Sequence, residues 1–411
     1  MYIKKLATDI VKKLNQAGYK AYFAGGWVRD YLMNQPSADI DIATDAPPEV
    51  ILKLFPHTLL VGLAFGVVIV ILEGYQFEVS TFRKDLEYVN GRKPKSIELS
   101  NEEEDVKRRD FTINSMFYDP LKEKIYDYVE GRRDLELGLI RTVGDPFERF
   151  SEDRLRMIRA IRFSARFNFR LDEATQQAIQ EKANTLFPAV AIERVWKEFV
   201  KMAGYPHFAN ALMEMHRLGL LPVIFPSLAH LHLKDLSQYL SPFSKFPTYT
   251  PTILYILELF PSFDKQQLQN LCSYLRLSKE ETKLATFVQT GKQLLSLAPG
   301  LSDPEWVHFY AHSYSQVCLE IFAARLSEDS EEAFYQEHEQ NQERLKPHIK
   351  RAIKKQPLVT ASMLKSLGVL PGKSMGLLLQ EAEKNAILHN LQAPEESIKM
   401  LQQSKHWPNL N

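Results

Sequence analysis

Residues 37–44 read SADIDIAT, two acidic residues one position apart inside an apolar run. Such alternation predicts a β-strand, in which the side chains of i and i+2 leave the same face. Asp39 and Asp41 then project together, while Ile40 and Ile42 point to the other side, toward a core. Two carboxylates held that close repel and raise each other's pKa, a cost that a cation between them removes. With no His or Cys beside them, oxygen-only ligation favours Mg²⁺, held by one or two carboxylates with substrate phosphates completing its shell. A solvated acidic edge strand is the ordinary alternative for an isolated pair, so the neighbouring residues have to decide.

Just upstream, AYFAGGWVRDYL (21–32) reads as a strand, a Gly-Gly turn and the first turns of a helix. Gly25 and Gly26 have no side chains to obstruct a phosphate approaching the backbone N–H groups. The helix N-terminus adds partial positive charge there, and Arg29 a fixed one. Downstream, Glu78 in QFEVSTFR lies on an expected strand and is a candidate third acidic group facing the metal. In EEEDVKRRDFTINSM, Arg108, Arg109 and Asp110 precede a helix-like apolar run, and the adjacent arginines can aim two planar donor sets at phosphate or ribose oxygens.

The stretch SEDRLRMIRAIRFSAR (151–166) predicts an amphipathic helix. Arg156, Arg159, Arg162 and Arg166 form one stripe, and Met157, Ile158, Ile161 and Ala165 the apolar face. A solvated basic face is the usual reading, but Asp153 lies one turn before Arg156 on the same flank. Cytosine and adenine each present an amino donor beside a ring-nitrogen acceptor, whereas guanine and uracil present a carbonyl beside an N–H. A carboxylate paired with a guanidinium matches only the first two. Each unpaired buried group costs about 1–3 kcal/mol, so two mismatches give roughly hundredfold discrimination.

The 411 residues suffice for roughly two to four structural units. Charged residues are 25% and hydrophobic ones 45%, and no run of about 18 apolar residues occurs. The formal net charge is zero, so nucleic-acid contact would rest on local basic clusters. Cys272 and Cys318 are the two cysteines, and neither has a partner at metal-ligand spacing. The N-terminal MYIKKLATDIVKKLNQAGYK has apolar residues spaced as on a helix face and no cleavage site, the pattern of a mature cytoplasmic terminus. Strand signals fill the first 120 or so residues, including a hairpin in MFYDPLKEKIYDYV turning at PLKEK. From about Ser151 the pattern is helical, broken at YPHF, FPTYTP and PLVTASML.

With GGWVRD, DIDIAT, FGVVIV, EVSTFR, RRDFTINSM and EDRLRMIRAIRF in this order, the chain resembles the class II tRNA nucleotidyltransferases and their bacterial poly(A) polymerase relatives, closely over residues 20–200. The resemblance implies an α+β fold: a polymerase-β-like head over residues 1–140, then a helical neck (141–205), body (206–345) and tail (346–411) that hold RNA. Its metal carboxylates fall on Asp39 and Asp41, its phosphate-binding Gly and Arg on Gly26 and Arg29, and its triphosphate- or ribose-contacting Arg on Arg109, next to Asp110. Its neck motif falls on Glu152, Asp153 and Arg156, with Arg159 and Arg162 as further nucleotide contacts and Glu152 orienting Arg156.

The implied reaction is template-independent, Mg²⁺-dependent addition of CMP and AMP, from CTP and ATP, to the 3′ end of tRNA, or of the terminal AMP alone. Bacterial poly(A) polymerases carry a basic VGRRF-like segment where this chain has LLVGLAFGVVIV, so the tRNA-repairing branch is favoured. RKDLEYVNGRKPKSIEL resembles the flexible loop that terminal A addition needs. The segment LVTASMLKSLGVLPGKSMGLLLQEAEKNAILHN resembles the tail of bacterial tRNA nucleotidyltransferases, and without a His-Asp doublet the phosphohydrolase domain fused to some relatives is expected to be absent or to have lost its metal site. Two alternatives stand beside this reading: a poly(A) polymerase on general RNA 3′ ends, and a catalytically silent RNA-binding protein.

Overall fold

A computed structural model describes residues 2–35, 37–60, 65–89, 93–296 and 301–408. The chain divides into two compact units, Met1–Gln238 and Tyr239–Asn411. The first unit opens with α1 (Tyr2–Gln16), β1 (Ala21–Ala24), α2 (Gly26–Leu32), β2 (Asp41–Thr44), α3 (Pro48–Leu54) and β3 (Thr58–Leu59). Next come β4 (Val67–Leu72), β5 (Tyr75–Thr81), the antiparallel pair β6 (Arg83–Val89) and β7 (Lys93–Leu99), and α4 (Glu102–Lys107). The head closes with β8 (Met116–Asp119), β9 (Lys124–Asp127) and α5 (Gly131–Leu137).

Seven strands form one mixed sheet in the order β3-β4-β5-β2-β1-β8-β9, in which β2 and β5 run parallel and the other neighbours antiparallel. Period-two alternation sorts its side chains. Phe23, Ile40, Ile42, Val68, Val70, Phe77 and Val79 pack against α1 and α3 through Leu6, Ile10, Leu14 and Ile51. Tyr22, Ala24, Ala43, Phe82, Val106 and Phe117 make a smaller cluster on the opposite face. Ile40 and Ile42 are thus buried as the alternation requires, and Asp41 emerges on the other side. In the β1–β2 ladder Ala24 stands opposite Asp41, and along β2–β5 Ile42 stands beside Val79.

Beyond the head, β10 (Leu139–Ile140) leads to α6 (Pro146–Glu152), α7 (Leu155–Phe167) and β11 (Arg170–Leu171), which pairs with β10. Then follow α8 (Glu173–Lys182), α9 (Leu186–Ala189), α10 (Ile192–Ala203), α11 (Phe208–Arg217) and α12 (Leu220–Ile224), with α13 (Leu233–Leu240) at the boundary. The apolar face of α7 is buried as its spacing predicts, through Met157, Ile158, Ile161 and Ala165. The second unit is helical: α14 (Thr252–Leu257), α15 (Lys265–Tyr274), α16 (Lys279–Ser296), α17 (Asp303–Tyr310), α18 (Ser315–Ala323), α19 (Glu328–Lys354), α20 (Ala361–Ser366), α21 (Lys373–Leu388) and α22 (Pro394–Leu401). Both cysteines are buried and unpaired, and no described helix is long and apolar enough to cross a membrane.

Three local expectations change. The apolar run after Arg109 and Asp110 is not a helix but one 3₁₀ turn, Thr112–Asn114, running straight into β8. Its β-type residues feed the sheet, and tertiary pairing overrides the local pattern. The segment resembling a flexible loop forms the β6–β7 hairpin, although 90–92 lie outside the described residues, as do 61–64 of the segment without basic residues. Helical structure also begins before Ser151, at α5 and α6, and is interrupted by the β10–β11 pairing.

The 3₁₀ turn is held against the start of α5, where a Cβ on Gly131 would lie 2.3 Å from the Thr112 carbonyl oxygen and 3.0 Å from its carbon. Neither backbone can yield locally. Gly131→Ala is expected to lower stability by about 1–3 kcal/mol through overpacking, measured as a drop in the midpoint of thermal or urea unfolding.

Candidate active site

A cavity of about 690 Å³ in the first unit is lined by Gly25, Gly26, Arg29, Asp39, Asp41, Arg109, Asp110, Asp153, Arg156, Arg159 and Arg162, joined by Asp30, Arg108, Asn114 and Arg166. Of the residues singled out in the sequence, Glu78 and Glu152 fall outside this lining. Glu152 acts from behind through Arg156, and Glu78 stands beside Asp41. The folding logic is local at each wall: the ends of β1 and β2 supply one side, the turn after α4 another, and α7 the third.

At the acidic end, β2 begins at Asp41, and Asp39, expected on the same strand, lies two residues before it, outside the strand. Asp39 is exposed, Asp41 half-buried, and Glu78 exposed on β5 at the position alongside Asp41. Burial, then Glu78, then Asp39 push the Asp41 carboxyl up to about 6, with Arg109 opposing them. A half-buried acid raised by two like neighbours is the electrostatic signature of a site that gains by taking up a cation. Among the described residues no three His, Cys, Asp or Glu side chains converge as a ready-made metal cage. The donors present are hard oxygens few in number, which fits a divalent ion completed by phosphates better than an all-protein site.

Gly25 has φ 66° and ψ −127°, a left-handed conformation that a side chain would strain, and a Cβ there would lie 3.4 Å from Arg109 Nη1. Helix α2, which starts at Gly26, carries Arg29, only 2% exposed. The Arg29 guanidinium donates to Asp30 Oδ1 from Nε (2.9 Å) and Nη2 (2.7 Å), donates also to Asn114 Oδ1, and lies over the ring of Phe167. Arg29 is therefore a buried part of the wall, its fork engaged with protein. Asp30 also accepts from Arg166 at 3.1 Å, so one carboxylate serves two arginines.

Asp105 repeats the arrangement on the next wall. Its Oδ1 accepts from Arg108 at 2.9 and 2.6 Å, and its Oδ2 from Arg109 at 3.1 and 2.9 Å. Burial works to raise the Asp105 carboxyl, but the two guanidiniums outweigh it and leave it below the ordinary value. Asp110 likewise resists burial: Arg159 in particular brings it down to about 2. It accepts from Arg159 and from Asn114 Nδ2, and so acts on the cleft by positioning Arg159.

Along α7 each arginine of the stripe meets a carboxylate. Arg156 is held by Glu152 at 2.5 Å and donates to the carbonyl oxygens of Arg149 (3.1 Å) and Arg108 (2.9 Å). Burial raises the Glu152 carboxyl despite Arg156 and Arg149 beside it. Arg159 pairs with Asp110, Arg162 with Glu198 of α10 at 2.5 Å, and Arg166 with Asp30. The stripe is thus a row facing the cleft, buried at Arg156 and Arg162 and half-buried at Arg159 and Arg166, not a solvated face.

Sequence reading missed Asp30, Asp105, Asn114, Arg194 and Glu198 as members of the site. A signal existed for Glu198: it lies three residues after Val195 and four before Met202, within the buried stripe of α10. Asp105 sat inside a run of acidic residues that reads as solvated. Replacing Glu78 by Gln removes the larger of the two like charges acting on Asp41. The Asp41 titration, followed by carboxyl NMR shifts in metal-free protein, is expected to move below about 6; an unchanged midpoint would mean that Glu78 has no part in raising it.

Known proteins resemble the chain in sequence and in fold. Residues 21–141 match the family described as "Poly A polymerase head domain", and residues 168–231 the one described as "Probable RNA and SrmB-binding site of polymerase A". The curated CCA-adding enzyme of Bacillus licheniformis is 46% identical over 215 residues, 52% of this chain and 54% of that protein. That of Geobacillus sp. is 44% identical over 215 residues, 52% of this chain and 53% of its own. The matched segment spans about half the length of these curated relatives. A solved structure of the Bacillus stearothermophilus CCA-adding enzyme in complex with CTP is 27% identical with a TM-score of 0.72, covering 97% of this chain and 96% of that one. The fold is therefore the one expected, a nucleotidyltransferase head followed by a mostly helical body, and the family resemblance carried by the motifs holds.

Proposed function

We propose that this chain, built on the poly A polymerase head domain and the CCA-adding fold, is a template-independent nucleotidyltransferase. It adds CMP and AMP from CTP and ATP to the 3′ end of tRNA, completing the CCA terminus or its final A. The observation that carries the reading is that Asp39 and Asp41 share one cleft with Asp153 and Arg156. A carboxylate pair suited to a metal and a carboxylate–guanidinium pair suited to a base thus face a common space. The relatives named CCA-adding enzyme, and the solved relative bound to CTP, support the substrate choice. Such an enzyme works where tRNA and nucleotides meet, in the cytoplasm.

In this reading Asp39 and Asp41 hold Mg²⁺, with Glu78 adding negative charge beside them. A divalent ion there supplies Lewis-acid stabilisation of the charge that builds on the α-phosphoryl and pyrophosphate oxygens during in-line attack. Gly25 and Gly26 let the triphosphate reach backbone N–H groups, and Arg29 and Arg109 supply positive charge from the wall. Asp153 accepts from the base amino group and Arg156 donates to the ring nitrogen, its guanidinium plane set by Glu152 and two carbonyls. Arg159, oriented by Asp110, and Arg162 complete the nucleotide contacts. The helices of residues 206–345 and 346–411 hold tRNA through shape and phosphate contacts.

The name of the matched head family favours a second reading, a poly(A) polymerase on general RNA ends. It would share every head residue, and acceptor choice separates the two. A silent RNA-binding protein has no use for the assembled cleft. The deciding assay supplies Mg²⁺ and one nucleotide at a time to tRNA transcripts ending before CCA, after C or after CC, and to an unrelated oligo(A). Extension of tRNA only is expected, and extension of the CC end alone means A addition. Preferential extension of oligo(A) would instead establish the polymerase.

Asp39→Ala and Asp41→Ala, checked for fold by circular dichroism, are each expected to lower addition roughly a hundredfold or more. Wild-type rates in both would remove the metal assignment. Arg156→Ala is expected to erase most of the preference for CTP and ATP over GTP and UTP, read as the ratio of kcat/KM values, with a loss of about 1–3 kcal/mol in discrimination.

A further inference from the structure

Asp153 is gripped from behind. It caps the C-terminus of α6, two residues before α7 begins, and its Oδ1 accepts from the backbone N–H of Leu155 at 3.1 Å, one of the unpaired donors of the α7 N-terminus. Its Oδ2 accepts from Arg194 Nη2 at 3.0 Å. Arg194 belongs to α10 and is not part of the cleft lining. Four residues on, the same helix presents Glu198 to Arg162. One face of α10 therefore carries a positive and a negative group that mate with a negative and a positive group of the nucleotide-facing row. Buried Val195, Phe199 and Met202 anchor that helix.

We propose that Arg194 is a positioning residue for nucleotide selection: it fixes the Asp153 carboxylate so that a base offering an oxygen there cannot push it aside. This inference rests on the base-reading role given to Asp153 and Arg156. The physical argument concerns rigidity. A carboxylate rejects the carbonyl of uracil or guanine only if it cannot swing away, because a mobile side chain relieves the acceptor–acceptor clash by rotating and admitting a water. A correct base suffers less from the same mobility, since its amino donor draws the carboxylate back. Loosening Asp153 therefore lowers discrimination more than it lowers correct addition.

One contact, from Nη2, does this work, so a lysine ammonium keeps both the charge and a donor, whereas glutamine keeps neither the reach nor the charge. The test measures kcat/KM for CTP, ATP, UTP and GTP on a tRNA acceptor with wild-type protein, Arg194→Gln, Arg194→Lys and Asp153→Ala, each with its unfolding midpoint. Arg194→Gln is expected to narrow the ratio of correct to incorrect nucleotides by about tenfold or more, with a smaller loss of correct addition. Arg194→Lys is expected to restore most of the ratio. If Asp153→Ala collapses the ratio but Arg194→Gln lowers all four nucleotides in equal proportion, the positioning role is overturned while base reading stands. If Asp153→Ala leaves the ratio at its wild-type value, base reading itself falls and this inference with it. Should Arg194→Gln fail to fold, the charge-neutral Arg194→Met decides: a narrowed ratio at unchanged unfolding midpoint, with the ratio largely kept in Arg194→Lys, supports the role, and a wild-type ratio in Arg194→Met overturns it.

Discussion

Seven guanidiniums, those of Arg29, Arg108, Arg109, Arg156, Arg159, Arg162 and Arg166, line a single cleft, and their mutual repulsion is the constraint around which the first unit is arranged. Buried and half-buried like charges at such density are tolerable only when each has a carboxylate beside it. Every partner comes from a different piece of chain: Asp30 from α2, Asp105 from α4, Asp110 from the following turn, Glu152 from α6 and Glu198 from α10. Among these seven, Arg29 and Arg166 share Asp30 and Arg108 and Arg109 share Asp105, so five partners meet seven cations and positive charge remains in excess on that side. At the other end Asp39, Asp41 and Glu78 leave negative charge in excess. The cleft is a dipole, cationic where phosphates and base would lie and anionic where a metal would sit.

That arrangement explains why the helical neck and the head belong to one compact unit. Helix α7 is fastened to head residues by the pairs Arg159–Asp110 and Arg166–Asp30, as well as by the apolar face below. Charged contacts at such a junction specify geometry more than they stabilise it, because desolvation offsets much of the attraction. Removing one partner leaves an uncompensated neighbour, so the members of this set are tied to one another although they are spread from residue 29 to residue 198.

What could be read beforehand follows the range of the interactions concerned. The strand holding Asp41, the Gly-Gly turn, the hairpin of β8 and β9 and the face of α7 depend on contacts within a few residues, and local periodicity announces them. The helix expected after Asp110 is absent because β8 claims those residues for the sheet, a demand made by distant strands. The partners of the arginines were invisible for the same reason. Asp30 and Asp105 are single acidic residues among others, and only the packing of α2 and α4 shows that each bridges two guanidiniums. Arg194 carried no mark at all in the sequence, since an arginine near a helix start is ordinary.

The ladder in which Ala24 faces Asp41 has one more consequence. Gly25 follows Ala24, so the turn that would receive phosphate and the carboxylate that would hold the metal are neighbours across one rung of antiparallel sheet. The distance between them is set by strand spacing, a quantity that hardly varies among proteins. The chain that leads up to Asp39, from Met33 to Ala38, is thereby released from any metric duty. It can lengthen, shorten or change composition in related proteins, and the two halves of the site would still meet at the same separation.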